Sequence, residues 1–191
     1  MEHIVKRKPE KSVYALQPPY RHCGMYTLKA ILSGFGKDTK SKQTDYYETP
    51  FGRMLGFTLP ERMIEKLSDY ELSVEEGRLK NFSKAEKINF LKQSITEDKP
   101  IILLVANGHT RAGKFILLKS IFCMHRLSIR GYDDEEQVFF VYDSTLHPKK
   151  YDHTIPIGNR KMSYDVLIRQ RRLFSIYGFY KNFYIKVGEI K

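Results

Sequence analysis

The amino-acid sequence predicts an α+β fold, with helices first and an antiparallel sheet after them. Before residue 100, apolar residues recur three times at helical spacing. From residue 101 onward the chain forms short apolar runs and alternating segments, which are typical of strands. Separate helical and sheet portions are characteristic of α+β proteins. At 191 residues, 41% of them hydrophobic, the chain is long enough to bury one core, so we expect a single domain over residues 1–191.

The first predicted helix begins at Cys23 and ends near Ser33. Pro18 and Pro19 keep the preceding chain extended because proline does not fit a helix interior. The apolar residues that follow recur at helical spacing: Met25, Leu28, Ile31 and Leu32. A thiol at a helix N-terminus lies at the positive end of the helix dipole, which lowers its pKa. Cys23 is therefore a candidate nucleophile, although a lone cysteine opening an amphipathic helix is more often part of a core.

Two more helices are predicted, from about 59 to 70 and from about 84 to 96. The start of each helix has a pair of residues suited to a capping box: Thr58 with Glu61, and Ser83 with Glu86. The segment 34–57 between the first two helices is predicted to be a polar loop, long enough to form a cleft wall. The remaining elements are predicted as follows: a basic arm at 1–16 with an edge strand near Val13, a strand at 101–106, a short helix at 164–171 and a strand near 179–187.

Residues 125–143 are predicted to form a β-hairpin with a polar turn at 131–136. His125 begins the first strand and Asp143 ends the second, so an antiparallel pairing puts both at the same end of the hairpin. An imidazole beside a carboxylate is the base and orienting group of a nucleophilic triad. Gln17, six residues before Cys23, can bring an amide N–H beside the sulfur and is a candidate donor to an oxyanion.

The sequence resembles the papain-like cysteine peptidases, and within them the bacteriocin-processing peptidases that cleave double-glycine leaders. The matching segments are Gln17 with Cys23-Gly24, His125 with Gly131-Tyr132-Asp133, Val141-Tyr142-Asp143, and residues 158–165. The resemblance implies a papain-like fold in which the nucleophile helix packs on an antiparallel sheet. It also implies a hydrolase of peptide or isopeptide bonds whose site residues are Cys23 as nucleophile, His125 as base, Asp143 as orienting group and Gln17 as oxyanion donor.

Two alternatives remain open from the sequence. The first is that the same thiol chemistry serves an amidase, a transpeptidase or an acyltransferase. The second is that the chain is a non-enzymatic basic binding module on a degenerate peptidase fold.

In the triad scheme Asp143 only accepts a hydrogen bond from the imidazole. An asparagine at position 143 is therefore expected to retain substantial activity.

A formal net charge of +11 suggests an acidic partner, nucleic acid or an anionic membrane surface. Basic residues concentrate at 6–11, 37–42, 149–161 and 169–172. The sequence carries no nucleic-acid-binding motif, so we expect a peptide or protein substrate, an acidic partner at most, and no specific nucleic acid. No apolar run approaches the ~18 residues of a membrane span.

Neither a cofactor nor a metal is expected, because the six histidines are scattered. Residues 108–114 match the start of a P-loop, but Phe115 stands where a Ser or Thr should bind Mg²⁺, and His109 in that segment is a weaker rival base. Residues 1–11 lack the apolar stretch of a secretory signal, and two cysteines provide no disulfide framework. We expect Cys123 to be buried in an apolar run and the protein to be cytoplasmic.

Overall fold

A computed structural model describes residues 1–6, 22–40, 42–56, 58–106, 124–146, 148–172 and 181–190. The predictions for Val13, Gln17, His109 and Cys123 and for the glycine-rich segment 108–114 lie outside the described residues.

The described elements in chain order are β1 (Glu2–Ile4), α1 (Cys23–Gly34), α2 (Pro50–Leu55), α3 (Pro60–Asp69), β2 (Leu72–Arg78), α4 (Lys84–Thr96), β3 (Ile101–Ala106), β4 (Met124–Asp133), β5 (Val138–Tyr142), β6 (Arg160–Ser163), α5 (Tyr164–Arg172) and β7 (Phe183–Glu189). Short 3₁₀ turns occupy Gln43–Tyr46 and Pro148–Lys150.

Within the described residues, the strands form one seven-stranded sheet in the order β2-β7-β3-β4-β5-β6, with β1 pairing to the far end of β4. All of these pairings are antiparallel. The long strand β4 pairs with β3 through its first half and with β5 through its second half. β4 therefore lies in the interior of the sheet. Its first residues, at one end of the strand, belong to the candidate site.

Helices cover both faces of the sheet. Neighbouring residues of a strand point to opposite sides, so a single strand packs against the helices on both faces. Ile101 and Leu103 of β3 pack in a core cluster with Leu91 and Ile95 of α4. Ile102, between them in sequence, belongs to a second cluster. This second cluster contains the buried faces of α1 and α3, including Leu28, Ile31, Met63 and Leu67. None of the described helices is long and apolar enough to cross a membrane.

The predicted α+β fold with the Cys23 helix packed on an antiparallel sheet is confirmed. α4 has the predicted bounds, and Ser83 and Glu86 form the predicted capping box. β3 also has the predicted bounds. The hairpin β4–β5 is present, but β4 continues to Asp133, so the turn is shorter than predicted.

Two local predictions are wrong around the segment 34–60. Thr58 does not cap α3, because the helix begins one residue later than expected. Leu59 occupies the cap position and Pro60 the first turn, where the missing N–H of proline has no cost. The segment 34–57, predicted as a polar loop that could form a cleft wall, contains regular structure instead: the 3₁₀ turn and α2, which Thr49 caps by accepting a hydrogen bond from the Gly52 N–H.

The basic run 169–172 is not simply a charged surface. Arg171 is fully buried, and its Nη2 donates a 2.8 Å hydrogen bond to the Asn182 carbonyl oxygen and a longer one to that of Phe183. These two bonds offset part of the cost of burying the cation, because a buried polar group is costly unless it is hydrogen-bonded. Arg171 therefore connects the end of α5 to the beginning of β7.

Candidate active site

Cys23 is the first residue of α1, as predicted, and its side chain is half-buried. His22 before it has a left-handed backbone with φ of 73°. The His22 N–H donates to the Gly56 carbonyl oxygen over 3.0 Å, and His22 Nδ1 lies 3.1 Å from the Tyr47 hydroxyl. These contacts attach the start of α1 to the segment 42–58, so that segment borders the thiol.

The residue after the thiol must be small. A Cβ at Gly24 would lie 2.9 Å from Thr58 Cβ and 3.3 Å from Arg126 Nη1. Real Cβ atoms essentially never approach another atom as closely as the 2.9 Å to Thr58 Cβ, because van der Waals repulsion opposes it. Gly24 thus allows Thr58 and the Arg126 guanidinium to pack directly against the beginning of α1.

The Cys23 side chain is hydrogen-bonded to His125. Burial raises the pKa of the Cys23 thiol, but His125, through its hydrogen bond and charge, and Arg126, through its charge and a backbone hydrogen bond, outweigh burial. The pKa falls from 9.0 to about 7. Near neutral pH a substantial fraction of Cys23 is therefore thiolate, the nucleophilic form of cysteine.

His125 Nε2 lies 2.7 Å from Asp143 Oδ1, and both side chains are almost completely buried. Burial lowers the pKa of the imidazole, but the Asp143 charge and hydrogen bond, followed by those of Cys23, raise it to about 10. For Asp143, burial raises the pKa, but His125 and then Arg160 and Thr145 hold it well below its usual range. Between the pKa values of Cys23 and His125, the stable form of the pair is thiolate with imidazolium.

Asp143 is held by neighbours beyond His125. The backbone N–H of Asp143 donates to Asn159 Oδ1 over 2.9 Å, and Asn159 Nδ2 donates back to the Asp143 carbonyl oxygen over 2.9 Å. Thr145 donates to Asp143 Oδ1 through both its N–H and its hydroxyl, and Arg160 Nη1 donates to Oδ2 over 2.9 Å. The orientation of the carboxylate is therefore set by the turn after β5 and by the start of β6.

The structure brings together three of the four predicted site residues: Cys23, His125 and Asp143. Gln17 lies outside the described residues. Sequence reasoning missed the contributions of Arg126, Thr145, Asn159 and Arg160. A signal was available for Arg126, since it adjoins His125, and for Thr145, since a hydroxyl two residues after an aspartate commonly caps it.

Comparison with known proteins identifies the group to which this chain belongs. The model of the Peptidase_C39 like family matches residues 8–171. The chain belongs to this family. Membership supports a cysteine peptidase type of function, in line with the resemblance seen in the sequence. No curated protein is significantly similar to this chain.

Solved structures show the same fold as this Peptidase_C39 like protein. A C39-like peptidase from Bacillus anthracis shares 12% identity with a TM-score of 0.61, covering 100% of this chain and 99% of that one. The peptidase domain of Streptococcus ComA, a bi-functional ABC transporter involved in quorum sensing, shares 12% identity with a TM-score of 0.56, covering 92% and 97%. The double glycine motif protease from an AMS/PCAT transporter, in complex with its leader peptide, shares 10% identity with a TM-score of 0.50, covering 100% and 99%. At such low identity the likeness shows the fold alone.

Proposed function

We propose that this protein is a cysteine hydrolase that cleaves a peptide or isopeptide bond, with Cys23 as nucleophile, His125 as acid and base, and Asp143 as orienting group. The observation that carries the proposal is the hydrogen-bonded series from the Cys23 thiol through His125 to Asp143. It occurs at a helix start in a member of a peptidase family. This series has the nucleophile, base and orienting group that define a triad.

In the first half of the reaction, the Cys23 thiolate attacks the carbonyl carbon, forming a C–S bond and an oxyanion. Because Asp143 occupies Nε2 of His125, the ring nitrogen that faces Cys23 is Nδ1. Its proton passes to the departing amine as the C–N bond breaks, which leaves a thioester and a neutral imidazole. The Cys23 N–H, in the first turn of α1, needs no partner within the helix and can donate to the oxyanion, with Gln17 as the second donor.

In the second half, the neutral imidazole removes a proton from water, and the resulting hydroxide attacks the thioester carbonyl. The C–S bond breaks, the acid product leaves, and the thiolate–imidazolium pair is restored. Throughout, Asp143 keeps its negative charge and holds the ring through Nε2. An amine that replaced water in this step would give a transferase instead.

A polypeptide substrate is supported by the surface beside the thiol. All six residues of α2 are at least partly exposed, and its large apolar side chains are open to solvent: Phe51 by 65%, Met54 by 60% and Leu55 by 45%. The helix is followed by Gly56 and Thr58, which contact His22 and Gly24 at the start of α1. An apolar surface this near a nucleophile suits side chains of an extended peptide, whose backbone would present the scissile carbonyl.

Intact-mass analysis after exposure to a panel of peptide vinyl sulfones tests the proposal. We expect one adduct, mapped to Cys23, that is absent in Cys23→Ala and slower by about 10³-fold or more in His125→Ala. Cys123→Ala is the matched control and should label like the wild type. A folded protein whose Cys23 labels no faster than in His125→Ala would overturn the proposal.

A further inference from the structure

Asp143 is surrounded by hydrogen-bond donors. Within the described part of the chain, three donor groups reach Oδ1: His125 Nε2 at 2.7 Å, the Thr145 N–H at 2.9 Å and the Thr145 hydroxyl at 2.6 Å. Arg160 Nη1 reaches Oδ2 at 2.9 Å. The Thr145 N–H and the Arg160 guanidinium can only donate, since neither has a lone pair to offer. Both oxygens of residue 143 must therefore be acceptors.

An asparagine at this position offers an acceptor at only one of the two oxygen positions. With its oxygen toward His125 and Thr145, its NH₂ group meets Arg160 Nη1, so that two donors face each other. With the amide turned over, the NH₂ group instead meets the Thr145 N–H and His125 Nε2. The first orientation is the less costly one, because it leaves a single conflict, and that conflict is with Arg160.

The position of residue 143 cannot shift freely to relieve this conflict. Asn159 holds its backbone on both the N–H and the carbonyl side, and Asn159 is itself buried. Arg160 follows directly and begins β6, so the backbone and the carboxylate of residue 143 are held by two consecutive residues. The side chain of Arg160 is 30% exposed and the carboxylate 5% exposed, so the ion pair lies at the margin of the buried site.

We propose that Arg160 is a positioning residue that makes a carboxylate, rather than an amide, necessary at position 143. The proposal deepens the proposed function and rests on it, since it concerns the group that orients His125. It reverses the expectation from sequence alone that Asp143→Asn retains substantial activity. In this protein the choice between aspartate and asparagine is decided by a residue that touches neither Cys23 nor His125 in the described contacts.

Replacing Arg160 by glutamine separates this role from general stability. The introduced glutamine can donate its amide N–H to a carboxylate, or it can turn over and accept from an asparagine. We expect Asp143→Asn to slow the labelling of Cys23 by a peptide vinyl sulfone by on the order of tenfold or more, because the Arg160 guanidinium then faces an NH₂ group in place of its acceptor. Arg160→Gln should slow it only about threefold, since a neutral hydrogen bond replaces a charged one. The double variant should be faster than Asp143→Asn alone.

The matched control is Lys161→Gln, which removes the same charge from the next residue, whose Nζ binds the exposed Glu136. In the Asp143→Asn background it should give no recovery. Circular dichroism and thermal unfolding verify that each variant is folded. A double variant no faster than Asp143→Asn, or an Asp143→Asn variant as fast as wild type, would overturn the role of Arg160.

A second comparison applies even if Asp143→Asn does not fold. Arg160→Met removes the donor that the described part of the chain offers to Oδ2, so it should label Cys23 more slowly than Arg160→Gln, and equal rates would refute the proposal. Failure of the proposed function gives a different result, because wild-type Cys23 would then react no faster than Cys23 in His125→Ala, whatever residue stands at position 160.

Discussion

At Cys23, burial and electrostatics act in opposite directions on one thiol. Burial disfavours the thiolate, whereas His125 and Arg126 favour it and lower the pKa to about 7. A thiol at the start of a helix also gains from the helix dipole. The side chains around the thiol, rather than its place in the sequence alone, determine whether it is reactive.

The rate of alkylation of Cys23 by iodoacetamide should rise with pH through a midpoint of about 7. The sign follows because the thiolate is the reacting form and its fraction increases above its pKa. In His125→Ala the charge and hydrogen bond of the imidazole are gone while burial and Arg126 remain, so the midpoint should rise above about 7. Rates at a series of pH values, read by peptide mapping, give both midpoints.

Cys123 serves as an internal control for that experiment. From its apolar sequence context we expect it to label much more slowly than Cys23 at neutral pH. Equal labelling of the two thiols in folded protein, or a midpoint for Cys23 that does not move in His125→Ala, would contradict activation by His125.

Local sequence allowed the three central residues to be predicted but not the groups that hold Asp143. Cys23 follows a proline pair and opens a periodic helix, and His125 and Asp143 are related by the register of one hairpin. Asn159 and Arg160 reach Asp143 through the pairing of β5 with β6, across the connection 144–159. That pairing depends on the whole sheet, so no short pattern in the sequence indicates it.

Among the described elements, sequence analysis missed three strands: β1, which pairs beside β4, and the two at the ends of the strand order. β2 and β6 lie at opposite ends of the strand order, and their sequences are Leu-Ser-Val-Glu-Glu-Gly-Arg and Arg-Lys-Met-Ser. An edge strand has one neighbour and tolerates charged residues that reduce edge-to-edge association. The interior strand β3 is fully buried and was predicted with its correct bounds, since a purely apolar run is the stronger signal.

The capping box of α4 gives a test of local stability. Ser83 Oγ accepts from the Glu86 N–H, and Glu86 accepts from the Ser83 N–H over 2.6 Å. Ser83→Ala should lower the free energy of unfolding by about 1 kcal/mol, because an N-terminal N–H of the helix loses its acceptor. Urea unfolding followed by circular dichroism measures the change.

Lys84→Gln is the matched control at the next residue. It removes the exposed ion pair of Lys84 with Asp165, which contributes little because water screens it. A loss in Lys84→Gln as large as in Ser83→Ala would mean that surface charge, rather than capping, stabilises this end of α4.

The exposed apolar side chains of α2 make a prediction about substrate binding. Phe51→Ser should raise KM for a peptide substrate while leaving kcat and the labelling of Cys23 by iodoacetamide unchanged, because the small reagent does not need this surface. Ile190→Ser is the control, since Ile190 is also 65% exposed but lies after the last strand, β7. Equal effects of the two substitutions on KM would remove α2 from the substrate-binding surface.

Across the whole molecule, part of the basic charge is committed to internal contacts. Arg171 is buried against backbone carbonyls, buried Lys29 binds Asp38, and Arg160 binds Asp143. Several half-buried lysines are paired with acidic side chains, as in Lys66 with Glu48 and Lys161 with Glu136. The ion pairs leave the net charge of +11 unchanged, because each joins one cation to one anion, whereas the buried Arg171 is a cation withdrawn from the surface.

Because the sequence carries no nucleic-acid-binding motif, we expect only weak, non-specific binding to nucleic acid. Fluorescence anisotropy with labelled duplex and single-stranded DNA should show an affinity that falls steeply between ~0.05 and ~0.2 M salt, because each phosphate contact releases bound counterions. The slope of log affinity against log salt reports the number of contacts, and no sequence preference should appear. Cys23→Ala is the control and should bind equally, since the thiol takes no part in this attraction. Tight binding that persists at ~0.2 M salt would instead favour a basic binding module, because purely electrostatic contacts are strongly weakened there.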